Sequence, residues 1–394
     1  MTKALINNNI LKWAMLRAGI SEDELGDRMS VRVDKVLGWV MGDSHPTFAQ
    51  AQKMAKILGI PFGYFYLNEP PAEVLPVADF RTVSSGKISL DVNTKNFLQD
   101  TFYKLDWYKD YLDAQGHTKL DFVGSMSLKD SPEAVANSIK ERLKLHPRPK
   151  VANHEDYLKY LVAEAEAIGI WVMRTSMVGN NTHRLLSTDV FRGIAISDQL
   201  VPLIVINSSD AKSAQIFTLI HEIAHIWIGQ SGISNVDLVA AATARDSETE
   251  AFCNKVAAEV LTPVAEFKLK WRAGVQLEDQ ADVLADYFKV SRIVIARRAL
   301  GLNFITREIY QRYSALEAAR WAALAKKQKL NSTGSPPQHV MMPVRYGRNF
   351  TKSVLAEAVR GSMLLKEAST LLGMKPGRVF DVYKKIQAQS VPAG

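Results

Sequence analysis

The stretch Phe217-Thr-Leu-Ile-His-Glu-Ile-Ala-His-Ile-Trp-Ile228 decides how this chain is read. Apart from Thr218, its polar residues all lie in the run His221-Glu222-Ile223-Ala224-His225, an H-E-x-x-H pattern. An α-helix turns once in about 3.6 residues, so side chains four apart share a face, and the two imidazoles stand side by side within reach of one metal ion. Glu222 lies about 100° around the helix from His221. It is near enough to act on a water beside that metal without being a ligand. Two nitrogen ligands, an open coordination position and a nearby carboxylate are what metal-assisted peptide hydrolysis requires. A lone histidine on an apolar helix is usually a packed core residue; a pair with an intervening acid asks for more than packing. The context agrees. Ile204-Val-Ile-Asn-Ser208 opens as a β-branched run suited to a buried strand, and Ser208-Ser-Asp-Ala-Lys212 supplies turn and cap residues ahead of the helix.

A catalytic zinc ion usually takes a third protein ligand, and a glutamate on a following helix is a common source. The candidates lie between Ser247 and Pro263, where Asp246 or Ser247 is the expected cap and Pro263 the expected stop. Glu250, which shares a helix face with Asn254 and Ala257, is the first choice, and Glu248 is the second. Glu248 also reads as an ordinary first-turn acid favoured by the helix dipole. Glu259 is expected to face solvent or to orient one of the histidines from behind. Cys253 is expected to pack as a small apolar group, and His183 is the one other histidine whose loop is expected to border a cleft.

These residues carry a resemblance. The chain resembles the ImmA/IrrE family of H-E-x-x-H metallopeptidases, in its long form with an N-terminal Xre-type helix-turn-helix. The supporting strings are Ile216-Phe-Thr-Leu-Ile-His-Glu-Ile-Ala-His225, Cys253-Asn-Lys-Val-Ala-Ala-Glu-Val-Leu-Thr-Pro263, Asp79-Phe-Arg-Thr82 after a proline-rich joint, and Asp106-Trp-Tyr-Lys-Asp-Tyr111. The likeness spans nearly the whole chain. It implies an intracellular zinc peptidase in which His221, His225 and Glu250 are ligands to Zn2+ and Glu222 is the general base. Family members of this kind cut a repressor of the Xre type, or sit beside a toxin gene as antitoxin or regulator. Thr262 departs from the pattern, since the family usually has an apolar residue such as Met or Val there.

The 394 residues, 47% of them apolar, are enough for two or three domains with their own cores. No apolar run reaches the roughly 18 residues that span a bilayer. The start, Met1-Thr-Lys-Ala-Leu-Ile-Asn-Asn-Asn9, has neither the basic region nor the long apolar core of a secretory signal. One cysteine rules out an internal disulfide framework and suits a reducing compartment, so a cytoplasmic location is expected. The net charge of +8 is unevenly spread: residues 320–394 hold thirteen basic residues against three acidic ones. Such a tail reads either as a surface for nucleic acid or an acidic partner, or as a solvated helical face.

The expected fold class is α+β and mostly helical: an N-terminal helix-turn-helix bundle, a zincin-like peptidase core with a small antiparallel sheet, and a C-terminal helical domain. The expected domains are a Xre/Cro-like bundle over 1–70, a helical connector over 71–150, the zinc metallopeptidase domain over 151–272, a helix-turn-helix-like extension over 273–330, and a linker with a basic helical domain over 331–394. In the first domain Asn8 or Asn9 is expected to cap the opening helix, and Ser21 to Glu24 reads as a capping box. The third helix, from about Arg32 to Met41, would enter the major groove, with Arg32, Asp34 and Lys35 facing bases or phosphates. Charge holds this open, because the domain carries eight basic and seven acidic residues; a bundle kept for protein contacts fits as well. Asn93 to Leu112 reads as an amphipathic helix with an aromatic core stripe, and Ser131 to about Leu145 and Tyr157 to Ala167 as further helices. Strands are predicted at Ile170–Arg174, Arg192–Ser197 and Pro202–Asn207.

Two functions are therefore expected. The first is a zinc-dependent endopeptidase fused to a regulator module, acting on a protein substrate such as a transcriptional repressor. The second is an antitoxin or transcriptional regulator that binds operator DNA and its cognate toxin, the zinc domain being structural or conditionally active. A homodimer is a further candidate assembly, and no membrane partner is expected.

Overall fold

A computed structural model describes residues 2–71, 91–234, 248–328 and 337–390. The proline-rich joint beyond residue 71, the Asp79–Thr82 string, the Asp246 and Ser247 caps and most of the 331–337 linker lie outside them. Four short helices come first: α1 (Asn8–Ala18), α2 (Glu22–Met29), α3 (Val33–Met41) and α4 (Phe48–Leu58). The expected caps Asn8 and Asn9 lie inside α1; Asn7 does the capping, its side chain accepting the Asn9 N–H at 2.9 Å. Ser21 accepts the Glu24 N–H on α2, and Thr47 with Gln50 closes a reciprocal capping box on α4. α2 and α3 are joined through Ser30 in the left-handed conformation (φ 61°). Ile10, Leu11, Leu25, Val36, Trp39, Met54, Leu58 and Phe65 are buried together as the core of this part.

Helix α5 (Val92–Ala114) follows, and its apolar stripe of Phe97, Leu98, Phe102, Leu105 and Tyr108 is buried. The chain divides into two compact units, Met1–Tyr103 with Met177–Leu186, and Lys104–Ser176 with Ser187–Gly394. The division falls inside α5. Next come α6 (Pro132–Arg142) and α7 (His154–Ala167). α6 stops short of the expected Leu145 because Lys144 takes a positive φ of 53°, which no helix interior tolerates.

Strands β1 (Trp171–Thr175), β2 (Gly193–Ile196) and β3 (Leu203–Asn207), helix α8 (Lys212–Trp227) and strand β4 (Gly232–Ser234) build the centre of the second unit. The sheet order is β1-β3-β2-β4. β2 runs antiparallel to both β3 and β4, but β1 is parallel to β3, so the expected antiparallel sheet is corrected to a mixed one. Every residue of these strands is buried, so no alternation marks a solvent face; continuous apolar runs of this kind reveal a strand but not its direction. β4 was not expected, and three residues are too few to leave a periodic signal. α8 is buried nearly all round, as befits a helix packed between a sheet and other helices.

Helices α9 (Glu248–Leu261), α10 (Val264–Lys270), α11 (Leu277–Phe288), α12 (Arg292–Gly301) and α13 (Arg307–Gln328) continue the second unit. α14 (Gln338–Tyr346), α15 (Arg348–Arg360), α16 (Leu365–Leu372) and α17 (Val379–Ser390) close it. These last helices seat on the sheet at β1. Trp171 donates its indole N–H to the Tyr346 carbonyl at 2.6 Å, and Phe350 stacks on the Trp171 ring with centroids 4.6 Å apart. Glu166 completes the join: its Oε1 accepts the Arg348 N–H at 2.7 Å, capping α15 from another helix. Among the described residues, no helix is long and apolar enough to cross a membrane.

Candidate metal centre

α8 presents His221 and His225 from adjacent turns toward α9, which packs alongside and delivers Glu250 from its first turn. His221 Nε2 lies 3.1 Å from Glu250 Oε2, His225 Nε2 lies 3.3 Å from Glu250 Oε1, and the two Nε2 atoms are 3.1 Å apart. Four ligands around a tetrahedral zinc ion, each at about 2.0–2.1 Å, are separated by roughly 3.3 Å. The donor set and its spacing therefore fit one zinc ion. Hydrogen bonding alone does not explain the arrangement: if both imidazoles donate to Glu250, two N–H groups face each other across the 3.1 Å gap. Burial, first, holds His221 below its ordinary pKa, against the pull of Glu250. The neutral ring is the form that ligates. Burial works the other way on Glu250, but hydrogen bonds and charge from His221 and His225 outweigh it and hold the carboxyl far below the usual range.

Glu222 is completely buried. Burial, and then the charge of Glu250, push its carboxyl well above the ordinary range, while Ser234 on β4 opposes the shift. Neither of its oxygens has a well-formed hydrogen bond among the described residues. Space for it is made by Gly193 on β2: a Cβ there would stand 2.1 Å from Glu222 Oε1 and 2.6 Å from Thr218 Cγ2. Gly193 and Ser234 were not singled out in the sequence. The glycine's role depends on a cross-sheet approach that no local pattern announces. Asn254, one turn after Glu250, also acts on the His221 ring.

The other candidates separate cleanly. Glu248 is exposed and is not among the three converging side chains. Glu259 neither faces solvent nor orients a histidine: it is buried, forms a short ion pair with Arg298, and accepts the Val264 N–H at 3.2 Å. The cause is that α9 is covered by α6 as well as by α8, which leaves that face no solvent. Cys253 is fully buried and its thiol is raised by burial, the profile of an inert packing group. Thr262 is also fully buried, and its hydroxyl donates back to the Ala258 carbonyl at 2.7 Å, which satisfies the polar group at this apolar position. His183 is exposed and belongs with the first unit. In that unit Arg32 pairs with Asp34 at 2.9 Å, both well exposed, and Lys35 lies over the Trp39 ring.

No curated protein matches the chain. Residues 346–385, from the end of α14 into α17, match a domain of unknown function, DUF8813. Residues 165–300, which hold the sheet, both histidines, Glu222 and Glu250, match the M78 peptidase family under the description IrrE N-terminal-like domain, and this supports a zinc-dependent, protease-type function for that part of the chain.

Proposed function

We propose that the chain is a cytoplasmic zinc-dependent endopeptidase joined to a helix-turn-helix module, and that it cleaves a protein partner of the transcriptional-repressor class. The observation that carries this reading is the convergence of His221, His225 and Glu250 on one point, with Glu222 buried beside them. A zinc ion held by these three would supply Lewis acidity toward a peptide carbonyl. Glu222 takes a proton from the water as its oxygen bonds to the carbonyl carbon, then gives that proton to the departing amide nitrogen as the C–N bond breaks. The buried setting of Glu222 favours holding that proton between the two events. The test is Glu222→Gln in the full chain, which should keep zinc and lose cleavage of a casein or repressor substrate.

A second reading is an antitoxin or regulator that binds operator DNA and a toxin. The exposed Arg32 and Lys35 at the start of α3 favour it. It separates from the first when Glu222→Gln is assayed for toxin neutralisation: neutralisation that survives does not depend on catalysis.

A further inference from the structure

On the second unit, away from the metal ligands, α6, the segment after it, α7 and the α9–α10 junction enclose a cavity of about 250 Å³. Lys140, His146, Arg148, Tyr157, Val260 and Glu266 line it. Lys140 is only 7% exposed, yet it makes no hydrogen bond or ion pair among the described residues. The stem is covered, while the ammonium, which meets no protein acceptor among the described residues, is reached from the cavity. Arg148 beside it is largely engaged, lying over the Phe288 ring and hydrogen-bonding with Tyr157. One of its terminal nitrogens reaches the Leu261 carbonyl at 2.9 Å and Glu266 at 3.4 Å and the other the Phe288 carbonyl at 3.4 Å, but its buried Nε has no acceptor.

The acids nearby are already engaged. Glu259 is committed to Arg298 and to the Val264 N–H, and Glu266 also accepts the Tyr287 hydroxyl at 2.6 Å. Around Lys140 the charged groups are Arg148 and Arg298 on one side of the balance and Glu259 and Glu266 on the other. With Lys140 charged, one positive charge is left over. Burial, first, and the two arginines hold its pKa down, against the two acids.

We infer that this cavity binds a small organic monoanion, a carboxylate with a short apolar body, whose charge is met by Lys140 and Arg148. One surplus charge matches a monoanion rather than a polyphosphate. The volume lies just below the range of about 300–1,000 Å³ typical of drug-sized ligands, and Val260 offers apolar wall. The occupant touches α9, the helix that supplies Glu250, but none of the metal ligands.

The test uses the full chain, metal-stripped and zinc-loaded, with benzoate as probe, benzamide as its neutral counterpart and inorganic phosphate as a third arm. Thermal shift and ligand-observed NMR should show benzoate binding in both metal states, with benzamide and phosphate at least ten-fold weaker. Lys140→Met should weaken benzoate at least ten-fold. Should that variant fail to fold, Ala265→Phe, at an exposed position on the rim, should block the same binding. Benzoate binding only with zinc present would assign it to the metal centre and overturn the inference. So would equal binding of benzamide or phosphate, no binding to the wild type, or benzoate binding that survives both substitutions.

Discussion

Glu222 and Gly193 are a matched pair: the carboxylate occupies the volume that any larger residue on β2 would fill. Gly193→Ala should therefore displace the carboxylate while leaving both imidazoles and Glu250 in place. Zinc stoichiometry should stay at the wild-type level, and the rate of peptide cleavage should fall by about 100-fold, the scale of a misplacement near 1 Å. Zinc analysis beside a steady-state assay checks both halves. Glu222→Gln goes further, because the amide cannot take a proton: cleavage should fall by about 100- to 10,000-fold with zinc retained. A variant that cleaves at the normal rate would remove Glu222 from the proton-transfer role.

At the scale of elements, the join between α15 and β1 is the most sensitive feature. Gly347 sits at φ 81° and ψ 147°, a region that side chains avoid, and a Cβ there would come within 2.6 Å of the Trp171 ring. Gly347→Ala should cost about 1–3 kcal/mol from backbone strain, with the clash adding to it, read from denaturant midpoints. Glu166, on α7, is buried, and its carboxyl is raised to about 7 by burial, against the Arg348 N–H and charge that it caps. A carboxyl whose folded pKa lies above its unfolded value of about 4.5 binds more protons in the folded state, so stability falls as pH rises between the two. The loss from pH 5 to 8 should approach roughly 3 kcal/mol at most, and Glu166→Gln should flatten it; a wild-type curve already flat over that window would contradict this.

These elements also show where sequence reading stops. The H-E-x-x-H spacing places His221 and His225 on one helical face because the α-helical period is fixed by the backbone. Glu250 and Glu248 are two positions apart on α9, and only packing against α8 separates them. Glu259 reads as facing solvent or orienting a histidine because α9 carries polar residues on several faces, while its burial goes with an ion pair to Arg298 on α12, remote in sequence. Strand positions were legible from β-branched runs, but the parallel pairing of β1 with β3 was not, since a fully buried strand carries no mark of direction.

For the whole molecule, the C-terminal helices are part of the second unit rather than an appendage. Phe350 meets Trp107, Tyr108 and Trp171 at centroid distances of 5.7, 5.3 and 4.6 Å. A chain ending at residue 336 would bare that aromatic cluster. It should bind a hydrophobic dye and unfold at lower temperature than the full chain; an unchanged melting temperature would show that the cluster contributes little. Within residues 337–390 the helices pack while basic side chains such as Lys352, Lys366, Lys375, Lys384 and Lys385 stay exposed, and Arg348 lies beside Glu166.

Everything functional rests on His221, His225 and Glu250 holding a single divalent ion between α8 and α9. The most direct measurement is zinc stoichiometry and affinity for the full chain beside Glu250→Ala and His225→Ala, with circular dichroism confirming that each variant folds. One zinc per wild-type chain is expected, with affinity in each variant lower by more than about 100-fold, the upper end for loss of an outer-shell partner alone. No stoichiometric zinc in the wild type, or unchanged affinity in the folded variants, would contradict the site.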